Sequence, residues 1–117
     1  MKTYKDLDVW KKSIELVIEA YKITNLLPPE EKFGLASQMR RGAVSIPSNI
    51  AEGYARKNRR ENAQFINIAF GSGTELETQI LIVKQLNFIK SEELEKIYQL
   101  LDSVLRMLYR YRESLYQ

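Results

Sequence analysis

Apolar residues recur along this chain at helical spacing, and no stretch shows the strict alternation of a strand. Between residues 7 and 27, Leu7, Trp10, Ile14, Val17, Ile18 and Tyr21 form one stripe, while Val9, Leu16, Ala20, Ile23 and Leu27 form a second beside it. In the third apolar run Phe65, Ala69, Leu76, Ile80 and Val83 face one way, and Phe70, Leu81 and Phe88 lie well round from them. The last run places Leu94, Ile97, Tyr98, Leu101, Leu105 and Leu108 on one face, which Leu100, Val104, Met107 and Tyr111 widen. Three breaks punctuate the pattern. At Leu27-Pro28-Pro29-Glu30-Glu31, Pro29 suits a first helical position and two carboxylates suit a first turn. Gly53 to Asn58 is the second break, where Asn58 and Glu61 have the spacing of a capping box. Asn87 to Ser91 is the third, with Ser91 as N-cap ahead of Glu92 and Glu93. The pattern predicts one all-α domain over residues 1–117, with helices at 7–26, 30–55, 59–87 and 92–115. Short connections favour an up-down-up-down antiparallel four-helix bundle.

The apolar arcs of the first and last helices exceed the roughly 100° that a surface helix needs. Apolar area beyond one bundle's needs marks an interface, so the pattern predicts a homo-oligomer. A compact monomer with a wide core and some exposed apolar residues is the alternative.

The second helix reads differently. One side of SQMRRGAVSIPSNIAEGYAR (residues 37–56) carries Ser37, Gln38, Arg41, Ser45, Ser48, Asn49 and Glu52. Ser and Asn compete for backbone hydrogen bonds and are poor choices on a solvated helix face unless they have partners. Pro47 should cost about 3 kcal/mol in an ordinary helix interior and should kink the helix. Ser72, Glu75 and Gln79 lie on or beside the apolar face of the third helix. The two sets are therefore expected to meet in a polar seam of Arg41, Ser45, Ser48, Asn49, Glu52, Ser72 and Glu75, with Arg40 or Arg41 paired to Glu52 or Glu75. The seam would fix helix register and subunit contacts.

The same segment carries a resemblance. Together with Asp6-Leu7-Asp8-Val9-Trp10 and FINIAFGSGTELE (residues 65–77), it resembles the small bacterial four-helix-bundle proteins first noticed in intervening sequences of 23S rRNA. The likeness runs over nearly the whole chain, and SIPSNIAEG is its most specific string. It implies an up-down bundle assembled as a ring of five. A related branch, the accessory proteins of diversity-generating retroelements, forms such rings and binds nucleic acid and a reverse transcriptase. The family as a whole brings no settled activity.

Composition narrows the chemistry. The chain has 117 residues, no Cys and no His. Disulfides, zinc-thiolate sites, thiol nucleophiles, the Ser-His arrangement and the Glu-x-x-His iron motif are thereby removed. A metal site built from Glu52, Glu75 and Glu77 would lack His or an Asp cluster, and a nucleophilic Ser would lack an obvious base. No catalytic residue, metal or cofactor is expected. There is no apolar leader and no run able to span a bilayer, so a cytoplasmic location without membrane contact is expected.

Charge supplies the remaining candidate. The net charge is only +3, but Arg56, Lys57, Arg59 and Arg60 crowd the second break. The free backbone N–H groups of the third helix open at the same place, which suits an anion. Arg106, Arg110 and Arg112, with Tyr109, Tyr111 and Tyr116, end the last helix. In an up-down bundle both groups belong at one end and would build a positive rim. Guanidinium groups suit phosphate and Tyr stacks on unpaired bases. The sequence thus predicts a non-enzymatic oligomer that binds RNA or DNA through Arg56, Lys57, Arg59, Arg60, Arg106 and Arg110. The alternative is a scaffold that docks a partner protein, such as a polymerase, without touching nucleic acid.

Overall fold

A computed structural model of the chain describes residues 3–117; the sequence start at Met1 and Lys2 lies outside the described residues. Four α-helices are present among them: α1 (Asp8–Thr24), α2 (Leu35–Tyr54), α3 (Arg59–Gln85) and α4 (Ser91–Leu115). No strand occurs among the described residues. Single 3-10 turns precede α1 and α2 at Tyr4–Asp6 and Pro29–Glu31.

Each helix packs on its neighbours in sequence, and α1 closes the square against α4. Cross-helix pairs give the directions. Ser45 meets Ser72, Gly53 lies against Asn62, and Glu19 approaches Lys96, so rising numbers on one helix meet falling numbers on the next. The bundle is therefore antiparallel throughout and measures 44 × 24 × 21 Å. Its length matches α3, since 27 residues at 1.5 Å each span about 40 Å.

The helix ends differ from the sequence expectation in instructive ways. The second helix starts at Leu35, not at 30, because the Pro29–Glu31 turn ends at Phe33-Gly34 and α2 begins afresh. Glu31 accepts from the Leu35 N–H at 3.3 Å, so one of the two carboxylates does serve a helix start. Asn58 caps α3 as expected, its side chain accepting from the Glu61 N–H at 2.8 Å. Ser91 is the first residue of α4 and Lys90 its N-cap, without a side-chain bond. The third helix ends on Asn87, whose φ of 59° is left-handed. The Phe88 N–H bonds to the Val83 carbonyl (3.1 Å) and the Asn87 N–H to the Lys84 carbonyl (3.0 Å). That is a Schellman ending with Asn where Gly is usual.

The two α1 stripes have opposite fates. Val9, Leu16, Ala20, Ile23 and Leu27 are all buried. Of the other stripe only Leu7 is buried; Trp10, Ile14 and Val17 are half-buried, and Ile18 and Tyr21 are exposed. The core is completed by Met39, Ile46 and Ile50 from α2, Ile66, Leu76 and Ile80 from α3, and Leu94, Ile97, Leu101 and Leu108 from α4. Pro47 is buried within an unbroken α2. Gly53 lets α2 and α3 touch: a Cβ there would stand 2.9 Å from Phe65 Cβ and 3.0 Å from the Asn62 carbonyl oxygen.

Candidate nucleic-acid interface

The four-residue connection 55–58 joins α2 to α3, so its cations flank the start of α3, whose first turn carries Arg59 and Arg60. Arg59 Nη1 donates to the Gln117 backbone carbonyl at 2.5 Å, which ties this connection to the end of α4. Both sequence-predicted basic groups thus lie toward one end. The Arg56 guanidinium lies over the Phe65 ring (4.7 Å) and bonds Glu52 Oε2 at 2.6 Å. Lys57 and Arg60 are exposed, and neither has a side-chain hydrogen bond or ion pair among the described residues.

The α4 cations are more engaged. Arg106 pairs with Asp102 at 3.1 Å, one turn back on the same helix. Arg110 lines a groove with Asp6 and Asp8, whose carboxylates offset its field. Arg112 is a hub: it donates to Asn67 Oδ1 (2.9 Å), lies over Phe70 (5.1 Å) and Tyr109 (5.4 Å), and stands 3.9 Å from Glu113. Beside it Asn62 Nδ2 donates to the Tyr111 hydroxyl at 3.1 Å. The free positive field therefore centres on Lys57 and Arg60, while Arg59 is tied to the Gln117 carbonyl oxygen and Arg112 stands against the Glu113 carboxylate. The Tyr98 hydroxyl lies toward the other end of α4. Burial, and secondarily the Glu77 carboxylate, raises its pKa above the usual tyrosine value.

The polar seam forms at its centre only. Ser45 and Ser72 share a hydrogen bond across α2 and α3 (2.9 Å), and Asn49 Nδ2 donates to both the hydroxyl and the carbonyl of Ser45 (2.9 and 2.8 Å). Arg41, Ser48, Glu52 and Glu75 are exposed, so this side is an open groove and not a buried contact. The expected cross-helix ion pair gives way to other partners. Glu52 takes Arg56, and Arg40 turns toward α1, where Nε donates to Thr24 Oγ1 (2.7 Å) and Nη2 to Asn25 Oδ1 (2.8 Å). Arg41 and Glu75 line one groove with Gln79, unpaired among the described residues. Helix spacing places Glu52 and Arg56 one turn apart, so a local pair forms before a distant one.

Two features were not legible as sites in the sequence. The cluster of Arg112 with Asn67, Phe70 and Tyr109 needs α3 and α4 brought together. Phe33 is 88% exposed in the α1–α2 connection, where the apolar periodicity is interrupted. Its signal was an aromatic residue between Lys32 and Gly34 with no helical partner.

No cluster of Asp and Glu able to hold a metal occurs among the described residues. None of the described helices is long and apolar enough to cross a membrane. What the geometry offers is a helical bundle with a cationic, aromatic-flanked end. The chain belongs to the 23S rRNA-intervening sequence protein family, whose model matches residues 5–110. It is also similar to the crystal structure of a protein of unknown function from the S23 ribosomal protein family of Bacteroides thetaiotaomicron. The TM-score is 0.82 at 24% identity, over 90% of this chain and 95% of that one, and this likeness bears on the fold alone. No curated protein matches the chain.

Proposed function

We propose that this protein is a non-enzymatic, ring-forming homo-oligomer that binds RNA or DNA through the phosphate backbone. Arg56, Lys57, Arg59 and Arg60 make the main contacts, and Arg106 and Arg110 contribute from the flank. The observation that carries the reading is the Arg59–Gln117 bond, which draws the basic connection against the end of α4, with Lys57 and Arg60 beside it in no ion pair among the described residues. Arg112 and Tyr109 add a cation–aromatic pair about two turns along α3 from Arg60, beside Asn67, a surface suited to unpaired bases. With only a helical bundle and no base-reading sheet or finger among the described residues, the contact is backbone-led and salt-sensitive.

Assembly follows from the open α1 stripe. Trp10, Ile14 and Val17 line a groove against Val44, Pro47 and Ala51 of α2, and Ile18 continues it at 54% exposure. A second copy of the chain covers this face, and five is the number that the family resemblance implies. A ring repeats the modest basic end of each subunit into a collective field.

The test is binding of a fluorescein-labelled single strand to the purified full chain, followed by anisotropy as salt is raised. Affinity should fall steeply with salt, and the double substitution Arg59→Glu, Arg60→Glu should abolish binding. Affinity indifferent to both overturns the reading. A partner protein that co-purifies after nuclease treatment would favour the alternative of a docking scaffold, for which Ile68 and Leu81 on α3 and Leu86 just past its end offer about half-exposed apolar contact.

A further inference from the structure

One cleft takes no part in the basic end. It lies between α1 and the first half of α2, with a volume near 590 Å³, lined by Tyr21, Lys32, Phe33, Arg40, Arg41 and Val44. That volume lies within the roughly 300–1,000 Å³ of small-molecule sites. Its charge is one-sided: Lys32, Arg40 and Arg41 line it, and no carboxylate does. The nearest carboxylate in sequence, Glu31, is turned to the Leu35 N–H.

The cleft is also partly built. Arg40 is pinned by Thr24 and Asn25 and lies over the Tyr21 ring at 4.8 Å, which gives one wall a fixed cation–aromatic stack. Opposite in character, the Phe33 ring is almost fully exposed, with only the Lys32 ammonium over it at 5.5 Å from the centroid. Arg41 is exposed and has no partner among the described residues. A free aromatic face, an apolar side chain and an uncommitted guanidinium beside fixed positive charge call for a ligand with one flat ring and one anionic group.

We infer that the α1–α2 cleft binds a 5′-phosphorylated nucleoside, its base on Phe33 and its phosphate on Arg41. Ring–base stacking accepts any base, and a guanidinium grips phosphate through paired donors. Ser37, which also lines the cleft, supplies a hydroxyl to the phosphate or sugar. Arg41 and Arg60 are 19 residues apart in sequence, and Tyr54, the last residue of α2, lies about 20 Å from Arg41 by helix rise, so this site is separate from the basic end and does not depend on it.

The same chemistry arrives either as a free nucleotide or as one unit of a single strand. Two probes separate them with the full-length protein: etheno-AMP followed by its own fluorescence, and fluorescein-labelled oligoadenylate RNA followed by anisotropy. Loss of the stacking ring or of the phosphate grip is expected to weaken binding about tenfold, by Phe33→Ala or by Arg41→Glu. Arg60→Glu should leave etheno-AMP binding unchanged. Both substituted side chains are exposed, so the helices should persist, which circular dichroism checks. Binding of etheno-AMP with this dependence assigns a free nucleotide; binding of the strand alone with the same dependence assigns a strand unit. Binding of neither probe, or binding indifferent to both substitutions, overturns the proposal. Should Phe33→Ala also lower the particle mass in light scattering, Arg41→Glu decides: loss of binding upholds the site, and retained binding gives Phe33 to a contact between copies.

Discussion

Leu16 and Ile18 stand two residues apart on one helix, have nearly equal hydrophobicity, and meet opposite surroundings. Leu16 is fully buried at 0% exposure, while Ile18 keeps 54% of its surface. The stripe that Leu16 belongs to is sealed between α2 and α4. The stripe of Ile18 is walled on one side by Val44, Pro47 and Ala51, is covered at its start by Tyr4 against Trp10, and is open toward Ile18 and Tyr21. Helical periodicity places both stripes but does not rank them, because the rank is set by which way neighbouring helices approach. The difference separates two demands on one helix, folding the subunit and covering a surface.

The sharpest test of that separation is a pair of truncations. Leu16→Ala removes a fully packed side chain and should cost about 2–5 kcal/mol. Ile18→Ala should stay within about 0.5 kcal/mol in the isolated subunit. Urea unfolding at low protein concentration measures both, and equal losses would break the comparison.

Glycines extend the same contrast to backbone contact. A Cβ at Gly53 would stand 2.6 Å from Asn62 Oδ1 and 2.9 Å from Phe65 Cβ, so Gly53→Ala must push α2 off α3. The expected cost is about 1–3 kcal/mol. At Gly71 a Cβ meets nothing within 4 Å. Gly71→Ala should therefore raise stability by about 0.5–1 kcal/mol through helix propensity alone. Thermal unfolding of the two variants should move in opposite directions; a common sign would mean that the α2–α3 approach is not set at Gly53.

For the open stripe the readout is mass. Ile14→Asp puts a carboxylate in the α1–α2 groove without entering the sealed core. The subunit should stay folded by circular dichroism while light scattering shows a smaller particle than the parent chain. An unchanged mass would mean that copies do not meet on this stripe.

How much of this was legible in the sequence depends on the range of the interaction. The number and order of helices, the Asn58 cap and the approach of the α2–α3 connection to the end of α4 rest on local signals and short connections, and all are present. The start of α2 was misplaced because Pro and acidic residues fit a 3-10 turn as well as an α-helix, and Gly34 then breaks the chain. In the seam, the types of side chain were readable but their partners were not. Ser45, Asn49 and Ser72 found one another, whereas Arg40 chose Thr24 on α1 over a carboxylate on α3. Phe33 escaped because an exposed aromatic in a connection leaves no periodic trace. Long-range choices of this kind require the helix rotations, which one sequence does not carry.

The smallest effects are expected where charges differ in how fully they are engaged, and they bear on function. Arg60 is free at the basic end, and Arg106 is held by Asp102 at 3.1 Å on an exposed helix face. Neither should matter to stability beyond about 0.5 kcal/mol, since exposed pairs contribute little. In binding they should part. If Arg60 meets a phosphate, Arg60→Gln lowers the slope of log affinity against log salt by about 1. Arg106→Gln should change the slope less, because its charge is already partly neutralised on its own helix. Equal changes would mean that Asp102 releases Arg106 to the nucleic acid, and the field would then run along α4. A larger change for Arg106 would move the interface off the α2–α3 connection altogether, leaving the Arg59–Gln117 bond as a structural tie between α3 and the end of α4.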